Sequence, residues 1–410
     1  MNLYYTLMSI SLFITYYGIQ ANAQCVTCNN TNTYTGIIAG ASMTSGYDNS
    51  LFGRTTGTKI TSGIRNSIFG KDAGKQITTA NDNSIFGAYA GELNQVSGNS
   101  FFGAFAGYTN VNGLNNAFFG YEAGRLNTAS VNSFFGSAAG KANTTGAANA
   151  FFGSSSGAFN KVGFANSNFG HSSGRRNIGG DHNTMIGNRA GDGNRTGNEN
   201  TCLGSKAGEY GADSNKNTLI GYSAGSFSGG TGNTFVGHNS GSTTGGVNNV
   251  LIGVDSGPTG ITTITNKLYI HNAKTNEPLI YGDFLNREMI VNGTLEVTGG
   301  NSVTSARASK QDFVDIDPFI VLDRVSKMNI QKWNYINHPN QRHIGPVAEE
   351  FHAAFGLGKN DKTINITDLS GVALVAIQAL EKENKSLSAT LQEVQRQLDL
   401  LQQHIHQMKE

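Results

Sequence analysis

Five acidic side chains in the long N-terminal part of the chain, Asp72, Glu92, Glu122, Asp192 and Glu209, are of the type that cleaves a glycosidic bond. That reaction needs two carboxylates held at a fixed separation, and these five are scattered among the rungs and form no continuous carboxylate column. A polysaccharide-degrading enzyme would have to build its site from isolated loop residues, and it stands as the alternative reading of function. The nine His residues show no ligand spacing in this part, and His404 and His406 fall on a C-terminal helix pattern. No metal site and no cofactor is expected. Cys25 and Cys28 could close a small disulfide loop or link subunits, and no βαβ pattern surrounds them for redox work. A lipid on Cys25 would want a small residue before it, where Gln24 stands. Cys202 occupies an apolar position and reads as a buried small hydrophobe. The hydroxyl column Ser67, Ser84, Ser100, Ser133, Thr184, Thr201, Thr218 and Thr234 suggests an ice-binding face, but Ala117, Ala150 and Val250 interrupt it. Tight packing explains that column better.

All these residues are carried by a repeat. Asn49-Ser50-Leu51-Phe52-Gly53 returns as Asn66-Ser67-Ile68-Phe69-Gly70, and the leading Asn recurs at 83, 99, 116, 132, 149, 166, 183, 200, 217, 233 and 249. A weaker copy starts at Asn32. Such a period marks a stacked architecture in which each unit buries its apolar face only against its neighbours. Each unit reads Asn, a small residue, two apolar residues, Gly, two variable residues, Ala or Ser, Gly, then a polar loop, as in Asn116 to Gly124. The apolar pairs are rich in Phe, Ile, Leu and Val, and no Pro occurs between 32 and 257, which favours strands. About five residues between turn signals are too few for a helix.

The fold class expected is therefore mainly β: a parallel β-solenoid of about 14 rungs of 16–17 residues, of undetermined hand, over residues 32–257. Two short strands and two turns per rung would make a narrow, two-sided coil, with Gly supplying positive φ at its corners. The Asn column is expected to stack, each side chain bonding the neighbouring turn. At ~4.7–4.9 Å per rung the shaft is roughly 65–70 Å long. Adjacent strand residues face opposite ways, yet both members of the pair are apolar, as in Phe101 with Phe102 and Leu219 with Ile220. One column fills the coil; the other implies a contact with something else, read here as a subunit interface. A wide coil that fills both columns by itself is the alternative.

The chain is near neutral and 14% charged, so neither nucleic acid nor an anionic membrane is an expected partner. Residues 3–20 are apolar and precede Ala21-Asn22-Ala23, which reads as a secretory signal peptide over 1–23, although no Lys or Arg begins it. A retained anchor is the alternative; with cleavage no membrane span remains, and the protein is secreted or at the cell surface. Residues 24–31 form a linker with the Cys pair. Residues 258–302 read as a β-rich neck, with strands around 267–270, 278–282, 289–293 and 294–297.

Composition changes near residue 305: fifty of the 54 Gly lie before it, while the charged residues concentrate after it. From Ile377, an apolar heptad runs through Asn384, Leu391, Leu398 and Ile405 at one core position. Leu380, Leu387, Val394, Leu401 and Met408 take the other, so 377–410 is expected to form a trimeric coiled coil. Asn384 is a candidate register-setting polar residue.

Four segments precede or open this helix: Ser305 to Lys310, Ile330 to Tyr335, Arg342 to Phe351 and Gly371 to Leu380. In order and spacing they resemble the endosialidase-type intramolecular chaperone domain of phage tail spikes, tail fibres and related bacterial surface proteins, over about residues 303–385. The rungs separately resemble the head repeats of trimeric autotransporter adhesins, whose repeats are shorter. The chaperone resemblance implies a small α+β domain over 303–376 that trimerises, templates the β-rod ahead of it, and in many members releases itself through a Ser/Lys pair. The matching positions are Ser305 as nucleophile and Lys310 as its base. A Ser hydroxyl needs such a base, and burial readies a Lys amine for the role. Ala306 stands where Asp or Ser is common, Ser309 where a larger residue is frequent, and Glu349 where Gln is usual. The resulting expectation is an exported, homotrimeric, fibre- or adhesin-like protein that meets a surface glycan or receptor.

Overall fold

The computed structural model describes residues 31–408 apart from 212, 228, 261, 300, 301, 337 and 338. The leader, Cys25 and Cys28 lie outside the described residues. The chain divides into two compact units, 1–296 and 297–410.

The first unit is a parallel β-solenoid. Its rungs contribute one three-residue strand each, from Thr33–Thr35 and Ser50–Phe52 onward, and successive strands pair parallel with no slip. Where two strands per rung are expected, most rungs have one. The opposite wall bends too often for a strand, yet its backbone still bonds rung to rung, as in Gly57 N to Ala73 O (3.0 Å) and Thr61 N to Thr78 O (2.9 Å). Only near the end does that wall straighten, where Thr244–Val247 pairs with Thr262–Thr265.

Glycine makes the sharpest corner. Gly120 has φ +140°, and a Cβ there would lie 2.4 Å from Gly136 O; only Gly fits both demands. Two further bends per rung use left-handed residues that are not Gly, such as Asp72 and Asp82. Such backbone costs roughly 1–2 kcal/mol per residue. Here each of these amides bonds the preceding rung, Asp72 N to Arg54 O at 3.0 Å and Asp82 N to Ile64 O at 3.1 Å.

The Asn column stacks as the repeat predicts. Asn66 donates from N and Nδ2 to Asn49 Oδ1 (3.0 Å each) and from Nδ2 to Ala80 O (2.9 Å). A second buried Asn ladder runs Asn94, Asn110, Asn127, Asn143, Asn160 and Asn177, with Nδ2 to Oδ1 contacts such as Asn160 to Asn143 at 2.7 Å. Between the walls, Leu51, Ile68, Ile85, Phe101, Phe118, Phe134 and Phe151 are fully buried against an Ala column. Burial of each large side chain contributes about 1.5–3 kcal/mol. The second apolar column points out: Phe52 through Phe169 stack at 4.6–4.8 Å between ring centroids, half-buried up to Phe152 and exposed at Phe169. The coil does not fill both columns by itself.

The ladder continues through Lys267–Ile270, parallel to Val250–Ile252, before the chain reverses into Ile280–Asp283 and Glu288–Val291. Residues 294–297, expected as a strand, form none. Among the described residues no helix is long and apolar enough to cross a membrane.

In the second unit, α1 (Pro318–Lys327) starts at Asp317, whose side chain accepts from Phe319 N. The strands Gln331–Trp333 and His343–Gly345 pair antiparallel. Helix α2 spans Ala348–Phe355, and α3 runs unbroken over Ile366–Gln407. Val321, Phe351 and Val372 form the core, joined by Val325, Met328, Phe355, Ile364 and Val375. Beyond Ala379 the heptad residues of α3 are exposed, Leu387 by 63% and Leu391 by 67%.

Candidate functional site

Ser305 and Lys310 lie at the start of the second unit, before α1. The chain between them makes one 3-10 turn, Arg307–Ser309, closed by Ser309 N to Ala306 O (3.1 Å) and Lys310 N to Arg307 O (3.1 Å). Ser309 reinforces it by donating its hydroxyl to Ala306 O at 2.7 Å. The turn shortens the path enough for Lys310 Nζ to donate to Ser305 Oγ at 2.7 Å. The two side chains singled out from the sequence are therefore in contact.

As an ammonium, Lys310 donates to the hydroxyl; to take the hydroxyl's proton it must first give one up. Removal of water favours the neutral amine, and in the single chain both side chains are exposed. The sequence did not flag Arg307, which lies over the Phe313 ring at 4.3 Å and ties the turn to the following segment. A cation five or six residues before an aromatic is too common a pattern to have found it.

The other motif segments hold the domain together. Trp333 pairs with His343 across the hairpin, stacks on its ring at 4.9 Å, and donates from Nε1 to Gly345 O at 3.3 Å. Phe351 is buried on α2, and Val372 buries the first turns of α3. Glu349, in the first turn of α2, is held below the usual carboxylate range by a backbone N–H and by Lys362, 3.1 Å away.

The five solenoid carboxylates considered for glycoside cleavage lie in ion pairs between or within rungs. Thr55 donates to Asp72 at 2.6 Å and, with Lys75 at 3.1 Å, keeps that carboxyl ionised below its usual range. Lys141 and Arg125, each at 2.6 Å, do the same for Glu122. Glu92 lies 4.0 Å from Lys75, Asp192 takes Arg175 at 3.0 Å, and Glu209 takes Arg189 at 2.7 Å. Among the described residues no cluster of three or more His, Cys, Asp or Glu is arranged to hold a metal ion. Cys202 is buried in the inward column, and burial pushes its thiol up to about 12.

Residues 305–356 match the family model described as Chaperone of endosialidase. They are a chaperone-of-endosialidase domain. No curated protein and no solved structure matches the chain. The match to the chaperone domain begins at Ser305 and ends just past α2, so it takes in the Ser305–Lys310 turn, the hairpin and the buried Phe351. A β-solenoid preceding such a chaperone domain fits a tail-fibre-like protein.

Proposed function

We propose that this chain is an exported, homotrimeric, fibre-like surface protein whose C-terminal domain folds and trimerises the β-rod and then cuts itself free. The observation that carries the reading is the apolar stripe of α3. It follows the chaperone domain in sequence, keeps heptad spacing over more than four heptads, and is exposed along its length. Three such helices, side by side and in register, bury that stripe. The repeat gives the clamp its purpose: nearly equivalent rungs allow many slipped registers, and a C-terminal trimer fixes the stagger before the rungs zip up. Trimerisation would also surround the Ser305–Lys310 turn and exclude water from it.

In the release step Ser305 Oγ attacks the carbonyl carbon of Thr304 while Lys310 takes the hydroxyl proton. The peptide C–N bond breaks as the Ser305 nitrogen receives that proton, leaving an ester that water hydrolyses to the Thr304 carboxylate and the free hydroxyl. The freed rod would meet a surface glycan or receptor through its turns, outside the cell or on its surface.

Light scattering and denaturing gels of the purified full chain test this together. A trimer is expected, with a C-terminal fragment of about 106 residues beginning at Ser305. Ser305→Ala and Lys310→Ala should each stay whole and still trimerise. A chain that is monomeric at micromolar concentration overturns the trimer; a wild-type trimer that stays whole on prolonged incubation overturns the cleavage.

A further inference from the structure

The outward face of the solenoid strands carries two columns, the second and fourth residues of each rung, and their sizes compensate. From Ser50 to Phe169 the second residue is Ser or Ala and the fourth is always Phe: Ser50 with Phe52, Ala117 with Phe119, Ser167 with Phe169. From Thr184 to Ile270 the second is Thr, Val or Leu and the fourth is Ile, Leu or Val: Thr184 with Ile186, Thr234 with Val236, Val250 with Ile252. The switch is complete and falls between two neighbouring rungs. It does not follow the interior, since the inward residue is Leu or Ile at 51, 68 and 85, Phe from 101 to 151, and Phe again at 235 beside the outward Val236. A small second residue beside the large Phe, and a larger second residue where the fourth becomes aliphatic, is the reciprocal change that close packing against another surface requires and that water does not impose. Yet this face is only half-buried in the single chain, with Phe169 and Ile186 40% and 38% exposed.

We infer that the outward strand face packs against a second copy of this chain, parallel and without stagger, the Phe or aliphatic ridge of one copy lying in the small-residue groove of the next at the same rung. The proposal rests on the trimeric reading above and specifies its contact. The ridge and groove are parallel columns on one face, so each copy offers its ridge to one neighbour and its groove to the other, which closes as a ring. Neither column holds a charged residue from Ser50 to Ile270, which suits an apolar occupant. Matching block to block over the whole ladder demands a partner with the same rung spacing and the same switch point, and a copy of this chain has both. The face is roughly 65–70 Å by about 10 Å, near 700 Å² per copy and shared between its two neighbours, so the ladder adds to the contact made by the C-terminal helices rather than replacing it.

The alternative source of the compensation is crowding between second and fourth residues of one strand, and cross-linking separates the two. Full-length chains bearing Ser100→Cys and Phe102→Cys, differently tagged, are co-expressed, oxidised and mapped by mass spectrometry. Disulfide formation needs Cα atoms about 4.4–6.8 Å apart, so a linked peptide pair joining positions 100 and 102 of different chains is expected. The control pairing of Ser100→Cys with Phe119→Cys, one rung along, should give at least tenfold less. Preferential linkage of the control overturns the unstaggered register. A trimer with no linkage in either pairing overturns the interface while leaving the trimer intact, and a monomer overturns the trimeric reading itself. Thr218→Cys with Ile220→Cys repeats the test in the aliphatic block should the aromatic-block variants fail to assemble.

Discussion

Replacing one residue of the Asn ladder should open the solenoid locally, and Asn66→Ala is the cleanest case. The Asn66 side chain makes four hydrogen bonds: Nδ2 donates to Asn49 Oδ1 and Ala80 O, while Oδ1 accepts from Asn83 N (3.1 Å) and Asn83 Nδ2 (3.0 Å). Asn49 Oδ1 keeps the Asn66 backbone N–H after the change, and Asn83 Nδ2 keeps Asn81 O at 3.1 Å. The Asn83 N–H and the Ala80 carbonyl are left without those partners in a fully buried corner. A stranded buried group costs about 1–3 kcal/mol, so two cost roughly 2–6 kcal/mol, with some return from relaxation. Because a repeat array opens in parts rather than all at once, the assay is hydrogen exchange followed peptide by peptide. Amides of Ser67–Phe69 and Ser84–Phe86 should exchange at least ~30-fold faster, the equivalent of about 2 kcal/mol at 1.4 kcal/mol per decade. Strands at 234–236 and 250–252 should be unchanged. Protection within threefold of wild type at 67–86 would refute the claim that the Asn ladder holds adjacent rungs together.

Asn168 stands in the inward column between Phe151 and Met185, fully buried, with neither Nδ2 nor Oδ1 hydrogen-bonded. Asn168→Leu should therefore stabilise the surrounding rungs by roughly 1–3 kcal/mol, read as slower exchange across residues 151–186; faster exchange there would mean the amide is satisfied by a buried partner. At the end of the ladder, Lys267 Nζ at 2.6 Å and the Asn286 donors hold the Asp283 carboxyl down to about 2. A depressed folded pKa gives stability that is present above the unfolded value, about 4, and is lost as pH falls toward 2. Exchange at 280–291 should accelerate between pH 4 and 2 beyond the intrinsic trend, and Asp283→Asn should remove that acceleration; equal pH profiles for the two proteins would count against the ion pair.

The repeat made most of the solenoid legible because stacking repeats each local rule many times. The Asn column, the Gly corners and the paired apolar columns each recur every 16 or 17 residues, and each does what its residue type allows. Reading stopped short where a rung lacks the marker. The Lys267–Ile270 rung begins with Lys in place of Asn, yet it stacks, because Lys267 N needs only the Asn249 side chain of the previous rung, 3.1 Å away. Length alone suits a two-strand rung, but the second wall is stabilised by rung-to-rung bonds that do not require extended backbone.

The candidate site was legible only in part, for a reason set by chain geometry. Five residues of extended chain would put Ser305 and Lys310 some 16–18 Å apart at Cα, beyond hydroxyl–amine contact for most side-chain conformations. The 3-10 turn at Arg307–Ser309 removes that separation, and nothing in Arg-Ala-Ser demands such a turn. It persists through Ser309, whose hydroxyl closes on Ala306 O. The residue that departs from the family's usual larger side chain is thus the one that caps the turn, and under the proposed cleavage Ser309 would position Lys310 against Ser305. Ser309→Ala removes the 2.7 Å bond and leaves both dyad members in place. It should slow appearance of the fragment beginning at Ser305 severalfold without altering the trimer. Unchanged cleavage in Ser309→Ala would show that the turn forms without its cap.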